Sequence, residues 1–296
     1  MVEGGLTVIV PTKTEKFLFQ TTLEVINKAK GDVECIVVLD GYTLPEEEII
    51  KDPRVRYIHR EYTDQLTKRQ CINEAVEVAK YEHIMALDAH CMLGEGYDEI
   101  LKRDCQENWV VIPRRERLDA EGWKIYRGDN NELNPIDYEY YMWQWVKKGI
   151  QGDRSGGLHG WKWDERTIAR KDIMIDDTLA FQGSCWFLHK AWFKKIGLMQ
   201  IEGYTGWGQE SEEITLKTRL NGGKVMTDKN TWYAHLYKGK KYGRMFSVPP
   251  GGIHAADLYH FNKFVNENRG LFVELINSFM PMPGYPSDWE TYLPKL

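Results

Sequence analysis

Short apolar segments alternate with amphipathic segments over the first 112 residues, and this alternation constrains the fold more than any other feature of the chain. The apolar segments predict strands: TVIV at 7–10, CIVVLD at 35–40, RVRYIH at 54–59, HIMALD at 83–88 and WVVIP at 109–113. Two sets of residues form helical faces between them: Phe19, Leu23 and Ile26, then Ile72, Ala75, Val76 and Ala79. Strands that are apolar throughout and separated by helices are typical of a mostly parallel sheet flanked by helices. We therefore predict an α/β fold.

The chain becomes polar, aromatic and irregular after residue 112, and regular patterns return near residue 178. Within this stretch, DYEYYMWQWVKKG at 137–149 is a candidate helix and SGGLHGWKWDERT at 155–167 a candidate loop. A strand and a helix follow at 178–197, then a helix from about Gln209 to Leu220 and a further strand. The tail predicts a helix near 255–266 and then Pro-rich coil. We interpret 1–296 as one domain, with halves at 1–112 and 113–245 and a C-terminal extension at 246–296.

Composition and charge narrow the class of protein. The 296-residue chain carries a formal net charge of −5, which argues against a protein that coats nucleic acid. No apolar segment reaches the ~18 residues of a membrane span, and the N-terminal residues do not resemble a signal peptide. We expect a soluble, cytoplasmic protein, in the host cytoplasm if its source is a virus. The cysteines have no C-x-x-C spacing, so we predict reduced thiols at Cys35, Cys71, Cys91, Cys105 and Cys185.

A carboxylate and an imidazole stand at the end of the fourth predicted strand. In MALDAHC, at 85–91, Asp88 and His90 are two residues apart, so on an extended chain their side chains point to the same side. A carboxylate oxygen and an imidazole nitrogen suit a divalent ion such as Mn²⁺. The alternative is an aspartate that caps the following turn beside a packed histidine, and the tripeptide alone does not separate the two. Asp40 ends another predicted strand, and parallel sheets bind ligands at this edge.

The order of several motifs resembles the GT-A-fold glycosyltransferases, in which D-x-D or D-x-H ends a strand and binds a metal ion on the diphosphate of a nucleotide sugar. The DAHC variant is most similar to the polypeptide N-acetylgalactosaminyltransferases. Similar segments in the first half are TVIVPTKTE, CIVVLDG and TKRQCINEAVEVAKYEHIMALDAH. Those in the second half are GWKWDERT, FQGSCWFLHKAWFKKIGLM, GYTGWGQESEEITLKTRLNGGKV and YAHLYKGKKYGRMFSVPPGG. The resemblance implies a GT-A sheet with an elaborated acceptor-side region.

The resemblance also implies a metal site. Asp88, His90 and His235 would bind Mn²⁺ or Mg²⁺, and the ion would neutralise the diphosphate and stabilise the leaving nucleotide. Without the resemblance, His235 is as readily explained as a packed histidine at the end of a strand. Basic and aromatic residues follow it, and they either close over the diphosphate or form a solvated loop: Lys238, Lys240, Lys241, Tyr242 and Arg244.

A nucleotide-sugar site follows from the same resemblance, with a UDP-linked sugar as the expected donor. Asp40 would accept hydrogen bonds from the base or ribose, with Thr12 nearby and Arg69 close to the nucleotide. Gly183 and Ser184, in a strand of small residues, would let the donor sugar approach the backbone. The alternatives are a turn cap for Asp40 and a solvated helix residue for Arg69.

The segment WGQESEE, at 207–213, is similar to the donor-sugar and acceptor site of that family. Trp207 and Glu210 would form the site, and Glu213 would support it or exchange roles with Glu210. In inverting relatives, an aspartate at the position of Ser211 acts as the general base that deprotonates the acceptor hydroxyl. Serine cannot act as a general base at neutral pH without a partner. The resemblance therefore favours transfer with retention, although Glu212 or Glu213 acting as the base would keep inversion open.

The acceptor is the least constrained part of the hypothesis. One candidate is a hydroxymethylated base in viral DNA, because basic residues could flank a groove: Arg114, Arg115, Arg117, Lys147, Lys148 and the 238–244 loop. The others are a cytoplasmic glycan or glycolipid precursor and a protein hydroxyl. A nucleotidyltransferase that makes nucleotide sugars and a non-catalytic nucleotide-sugar-binding protein are the competing functions. The oligomeric state stays open.

Overall fold

A computed structural model describes residues 2–61, 68–128, 133–142, 157–204, 208–243 and 252–293. The strands in these ranges are β1 (Val2–Thr12), β2 (Val33–Asp40), β3 (Val55–Arg60), β4 (Tyr81–Leu87), β5 (Cys91–Leu93), β6 (Trp109–Asp119), β7 (Lys124–Tyr126), β8 (Glu139–Tyr141), β9 (Gly160–Lys162), β10 (Ile175–Asp177), β11 (Cys185–His189) and β12 (Lys224–His235). The α-helices are α1 (Leu18–Lys28), α2 (Lys68–Val78), α3 (Tyr97–Asp104), α4 (Asp164–Ala169), α5 (Lys190–Lys195), α6 (Glu210–Leu220), α7 (Gly239–Tyr242), α8 (Gly252–His260) and α9 (Arg269–Ser278). The described chain also contains short 3₁₀ turns at Glu46–Glu48 and Trp289–Tyr292 and a π-helical segment at Phe261–Asn266.

One large mixed sheet organises the described chain, in the order β10-β12-β6-β11-β4-β1-β2-β3. The strands of the first half run parallel, since β1 pairs in parallel with both β2 and β4, and β2 pairs in parallel with β3. Strand β11 is antiparallel to both of its neighbours, β4 and β6. The predicted α/β fold with a mostly parallel sheet flanked by helices is therefore confirmed. The five cysteines are free, as predicted.

The sheet brings the predicted ligand residues to one edge. In β2 every residue is buried, as expected for a strand covered on both faces. Thr12 of β1 lies opposite Leu39, which precedes Asp40 at the end of β2. Ile9 of β1 lies opposite Ala86 of β4, so Asp88 also follows the carboxyl end of its strand. Parallel pairing thus places both carboxylates at the same edge, as the sequence predicts.

The first helix is confirmed, and two of the three residues predicted for its inner face, Leu23 and Ile26, pack on the main core. Leu18, Val25 and Ile26 are buried in the main core, whereas Phe19 is 38% exposed. The helix begins at Leu18, and one residue corresponds to about 100° around a helix axis. The apolar stripe therefore follows Leu18, and Phe19 lies on its margin.

The aromatic region differs from its predicted structure. The candidate helix at 137–149 begins as strand β8, and its residues 143–149 lie outside the described residues. The candidate loop at 155–167 contains β9, which pairs with β8, and the start of α4. Tyr138, Tyr140 and Tyr141 are buried, so tertiary burial of tyrosines with high strand propensity overrides the helical periodicity.

A second core lies behind this aromatic region. It contains the tyrosines of β8 together with Phe261, Phe272, Ile276 and Trp289 from the C-terminal extension. The sequence prediction missed α9, whose buried residues Phe272 and Ile276 are four positions apart as on one helical face. The extension therefore continues beyond residue 266 as the packed helix α9, and the predicted Pro-rich coil is confined to about residues 280–288, before the last 3₁₀ turn.

Candidate active site

Asp88, His90 and His235 converge, and of the described residues they form the one group of three that could hold a metal ion. His90 Nε2 lies 3.1 Å from His235 Nε2, and Asp88 Oδ2 lies 3.6 Å from His235 Nε2 and 4.0 Å from His90 Nε2. Atoms bound to one ion at about 2.1 Å lie at most about 4.2 Å apart, so the three separations fit a shared ion. The pairing of β12 with both β5 and β6 positions His235, which lies opposite Cys91, the neighbour of His90.

The protonation states suit cation binding. Burial lowers the pKa of His235 to about 4, against the opposing effect of Asp88, so its imidazole is neutral at pH 7 and has a free lone pair. Burial alone would favour the neutral acid at Asp88, but Lys68 and the two histidines hold the pKa of that carboxyl well below its usual range. The site therefore offers one carboxylate and two imidazoles, a donor set suited to Mn²⁺ and related ions.

Two residues at this centre were missed from the sequence. Lys68, the first residue of α2, donates to Asp88 Oδ1 at 2.5 Å and to the carbonyl of Gly183 at 2.8 Å. Glu15, in the loop between β1 and α1, lies with Oε2 3.3 Å from His90 Nδ1 and also pairs with Lys238. The available signal was position, because loops after β1 and before α2 lie at the carboxyl edge of the sheet.

The predicted nucleotide residues lie at the same edge. Asp40 is 5% exposed, and its Oδ2 lies 4.0 Å from Lys13 Nζ. Burial raises the pKa of Asp40, with Lys13 and Arg60 acting against the increase. Its Oδ1 has no hydrogen-bond partner within the described parts of the chain. Thr12 Oγ1 lies 2.9 Å from the hydroxyl of Tyr42. A buried carboxylate oxygen without a partner is an acceptor that a donor group of a ligand at this edge would satisfy.

Arg69, which the resemblance places close to the nucleotide, is not among the residues that line the cleft. Its guanidinium is buried, forms an ion pair with Glu213 and donates to the carbonyl of Gly208 at 2.9 Å. It also stacks on Tyr204, 3.6 Å from the ring centroid. One residue along α2 turns the side chain by about 100°, so Lys68 faces the sheet edge and Arg69 faces α6.

A cleft of about 420 Å³ extends from the convergent ligands toward β9. Of the predicted residues, Asp88, Gly183, Ser184 and Glu210 line it. A Cβ at Gly183 would lie 3.7 Å from the Cβ of Glu210, so the glycine leaves room between the metal-ligand end and α6. Trp207 lies outside the described residues. The remaining walls come from α2, β6, β8, β9, α6 and neighbouring turns: Lys68, Arg115, Arg117, Ile136, Glu139, His159, Gly160, Trp161, Lys162, Phe181, Gln182, Gly208, Gln209, Ser211, Glu212 and Tyr237.

The three carboxylates of α6 have different environments. Glu210 is partly exposed in the cleft. Glu212 lines the cleft too, where Oε2 accepts a 2.9 Å hydrogen bond from Ser211 Oγ. Glu213 is fully buried, between Arg69 and Lys217, and Oε1 accepts a 2.8 Å hydrogen bond from the amide of Gln200. Glu213 therefore supports the wall, and its side chain does not reach the cleft.

Carboxylates neutralise two of the arginines expected to flank an acceptor groove. Arg114 forms two 2.8 Å hydrogen bonds with Asp137, and Arg115 pairs with Glu139. Arg117 donates to the backbone carbonyl of Asn134 at 2.9 Å. Lys147, Lys148 and Arg244 lie outside the described residues, as does the side chain of Lys240.

The start of the predicted basic loop is helix α7, which packs on the N-terminal part of the chain. Lys238 pairs with Glu15, and Lys241 lies 2.5 Å from Glu121. The ring of Tyr242 packs edge-on against Phe17, with 5.4 Å between centroids. These contacts hold the segment beside His90, whose neighbour Glu15 binds Lys238.

The sheet topology is that of a GT-A fold. In agreement, the chain superposes on the crystal structure of GalNAc-T7 with UDP, GalNAc and Mn²⁺ with a TM-score of 0.64 at 17% identity, covering 97% of this chain and 54% of that one. The mannosyltransferase PcManGT from Pyrobaculum calidifontis, in complex with GDP-Man and Mn²⁺, gives a TM-score of 0.51 at 14% identity, covering 94% and 75%.

The sequence comparisons then identify the family. Residues 7–197 match the model of glycosyl transferase family 2, and the chain belongs to this family. Putative polypeptide N-acetylgalactosaminyltransferase 13 of Drosophila melanogaster is 25% identical over 183 residues, which are 60% of this chain and 28% of that protein. Probable N-acetylgalactosaminyltransferase 8 of Caenorhabditis elegans is 22% identical over 182 residues, 60% and 38% respectively. The matched part thus spans roughly a third of these relatives. Among the described residues, no helix has the length and apolar character needed to cross a membrane.

Proposed function

We propose that the chain transfers a sugar from a nucleotide-sugar donor, preferably a UDP-sugar, to an acceptor hydroxyl, with Mn²⁺ or Mg²⁺ as cofactor. The observation that carries the proposal is the convergence of Asp88, His90 and His235 at one end of a cleft lined by Glu210. Family membership supports the reaction class, and the structural neighbours that contain Mn²⁺ with UDP or GDP-Man support the ligands.

The roles follow from position. The bound cation would supply Lewis-acid stabilisation of the negative charge on the leaving diphosphate. Asp40 and Thr12 would bind the nucleoside, and Lys68 would lie beside the donor's phosphates or sugar. Gly183 and Ser184 would border the sugar, and Glu210 would bind its hydroxyls on the opposite wall. The buried Arg69–Glu213 ion pair would fix the position of α2 relative to α6.

For the stereochemistry we propose retention of the anomeric configuration. Ser211 occupies the position after Glu210, and a serine hydroxyl needs a partner base to deprotonate an acceptor. Glu213 is fully buried between two cations, so of the two candidate bases for an inverting reaction only Glu212 lines the cleft. Proton NMR of the anomer that forms first distinguishes retention from inversion. If the reaction proceeds with retention, the Glu212→Gln variant should form a product with the donor's anomeric configuration and keep much of the activity.

For the acceptor we propose a hydroxyl of a glycan or glycolipid precursor in preference to a base in DNA. The described cleft wall has four cationic side chains, Lys68, Arg115, Arg117 and Lys162, and four carboxylates, Asp88, Glu139, Glu210 and Glu212. A polyanion binds where cations lack such compensation. Trp161, 48% exposed at the cleft, offers a flat apolar face for a sugar ring.

The test is donor hydrolysis and transfer with a panel of UDP- and GDP-sugars, with Mn²⁺ and with EDTA, followed by a screen of glycan and modified-DNA acceptors. We expect activity that requires the cation and falls at least 100-fold in Asp88→Asn, while the exposed control Asp172→Asn keeps wild-type rates. Unchanged cation-dependent turnover in Asp88→Asn would overturn the assignment of the site. Salt-sensitive transfer to modified DNA alone would overturn the acceptor proposal.

A further inference from the structure

Glu15 contacts both His90 and the segment that follows β12. Its carboxylate Oε2 lies 3.3 Å from Nδ1 of His90, on the side of the ring opposite the Nε2 that faces His235. The same oxygen pairs with Lys238, which follows β12 and precedes α7. The Glu15 and Lys238 side chains are 10% and 17% exposed, so these contacts are shielded from solvent.

We propose that Glu15 is a positioning residue that couples cation binding at Asp88, His90 and His235 to binding of the donor's diphosphate. The inference rests on the proposed function, since it takes the three ligands and the diphosphate from it. It adds a residue outside the ligand set and a direction for the coupling.

The first part of the argument concerns the orientation of His90. A carboxylate beside Nδ1 favours the tautomer with its proton on Nδ1, which leaves the lone pair of Nε2 for a cation. His90 Nε2 already points toward His235 Nε2, 3.1 Å away. Glu15 therefore favours the tautomer that binding requires, and Nε2 of the same ring already faces His235.

The second part concerns charge. A negative carboxylate behind His90 stabilises a cation in front of it, and an ammonium group on that carboxylate cancels part of the effect. Lys238 is this ammonium group in the structure. An incoming diphosphate offers Lys238 a stronger anionic partner. Once Lys238 moves to the phosphate, the charge of Glu15 acts on His90 alone, so donor binding tightens cation binding.

Thermodynamic linkage makes the coupling reciprocal, because each ligand must raise the affinity of the other by the same factor. Lys238 stays within reach of both partners because α7 is held against the N-terminal part of the chain. Tyr242 packs on Phe17, two residues after Glu15, with 5.4 Å between ring centroids. The exchange therefore needs movement of one lysine side chain rather than of the whole segment.

The experiment is isothermal titration calorimetry of Mn²⁺ into the full chain, with and without saturating UDP, on wild type and three variants. Glu15→Gln removes the charge and keeps the shape. Lys238→Met removes the competing ammonium and leaves Glu15 in place. Glu121→Gln is the matched control, because Glu121 pairs with Lys241 of the same segment but is distant in sequence from the ligands and 67% exposed. Thermal melts establish that each variant is folded.

We expect Glu15→Gln to weaken Mn²⁺ binding about tenfold or more and to reduce the enhancement of Mn²⁺ affinity by UDP. Lys238→Met should bind Mn²⁺ more tightly than wild type without UDP and gain less from UDP, and Glu121→Gln should match wild type. Wild-type Mn²⁺ affinities in Glu15→Gln, or an unchanged UDP effect in Lys238→Met, would overturn the inference. Wild-type protein that binds neither Mn²⁺ nor UDP would instead overturn the proposed function.

Discussion

Glu210 and Glu213 lie almost one helical turn apart in α6, and their environments assign them different tasks. Glu213 is fully buried against Arg69, and Glu210 faces the cleft. Removing one partner of a buried ion pair leaves the other charge without compensation, which costs far more than the pair contributes. The same substitution at the two positions should therefore separate stability from activity.

We expect Glu213→Gln to lower the free energy of unfolding by roughly 3–5 kcal/mol, because it leaves the Arg69 guanidinium buried without its carboxylate. Glu210→Gln should change it by less than about 1 kcal/mol, as expected for a partly exposed side chain, but should strongly reduce transfer. Urea unfolding and donor turnover measured on both variants test this. Equal destabilisation of the two would contradict the division of roles.

At the scale of the element, the contact between α3 and β12 contains two neighbouring aspartates, so its contribution to the free energy of unfolding depends on pH. Asp228 of β12 is fully buried and lies near Asp104, the last residue of α3. Asn230 Nδ2 donates to Asp104 Oδ2 at 3.0 Å, and the Asn230 amide donates to Asp228 Oδ1 at 2.9 Å. Burial and then the charge of Asp104 raise the pKa of Asp228 to about 6 from 3.8.

Because the folded state holds this proton more tightly than the unfolded state, the group favours folding below pH 4 and loses this contribution as the pH rises from about 4 to 6. Asp228→Asn keeps the shape and cannot ionise, so it should raise the free energy of unfolding at pH 7.5 by roughly 1–3 kcal/mol. The difference between variant and wild type should disappear toward pH 4. Urea titrations from pH 4 to 8 check the trend, with the exposed Asp172→Asn as control; a pH-independent difference would contradict it.

At the scale of the whole molecule, the candidate metal site joins distant parts of the chain. Asp88 and His90 follow β4, whereas His235 is the last residue of β12, far along the chain from both. An ion bound only by the folded chain stabilises it by about 2.7 kcal/mol at 100 times its dissociation constant. We expect saturating Mn²⁺ to raise Tm by several degrees, and EDTA to reverse the change.

His235→Ala removes one of the three ligands, so this variant should lose most of the Mn²⁺-dependent increase in Tm measured by calorimetry. An equal increase in wild type and His235→Ala would place Mn²⁺ binding elsewhere on the molecule. Comparison in the absence of Mn²⁺ separates the ligand effect from any change in packing around β12.

The amino-acid sequence by itself determined β1, β2 and β4, because uninterrupted apolar runs leave little choice but a buried parallel sheet. It also predicted β3, α1 and α2, but not β5 or α3. It also determined that Asp40 and Asp88 share an edge, since parallel strands end on the same side. The motif order, through its resemblance to a known family, pointed to His235 as the partner of Asp88 and His90, which local periodicity could not do.

Only the tertiary structure decided that Lys68 rather than Arg69 faces the cleft. The two adjacent residues lie about 100° apart around the axis of α2, and the sequence pattern of α2 fits either orientation. It also decided that Glu15 stands behind His90, that Glu213 is buried, and that β8 is a strand packed against the C-terminal helices. These outcomes depend on contacts between residues far apart in the chain. Such contacts leave no local period in the sequence, so packing alone determines them.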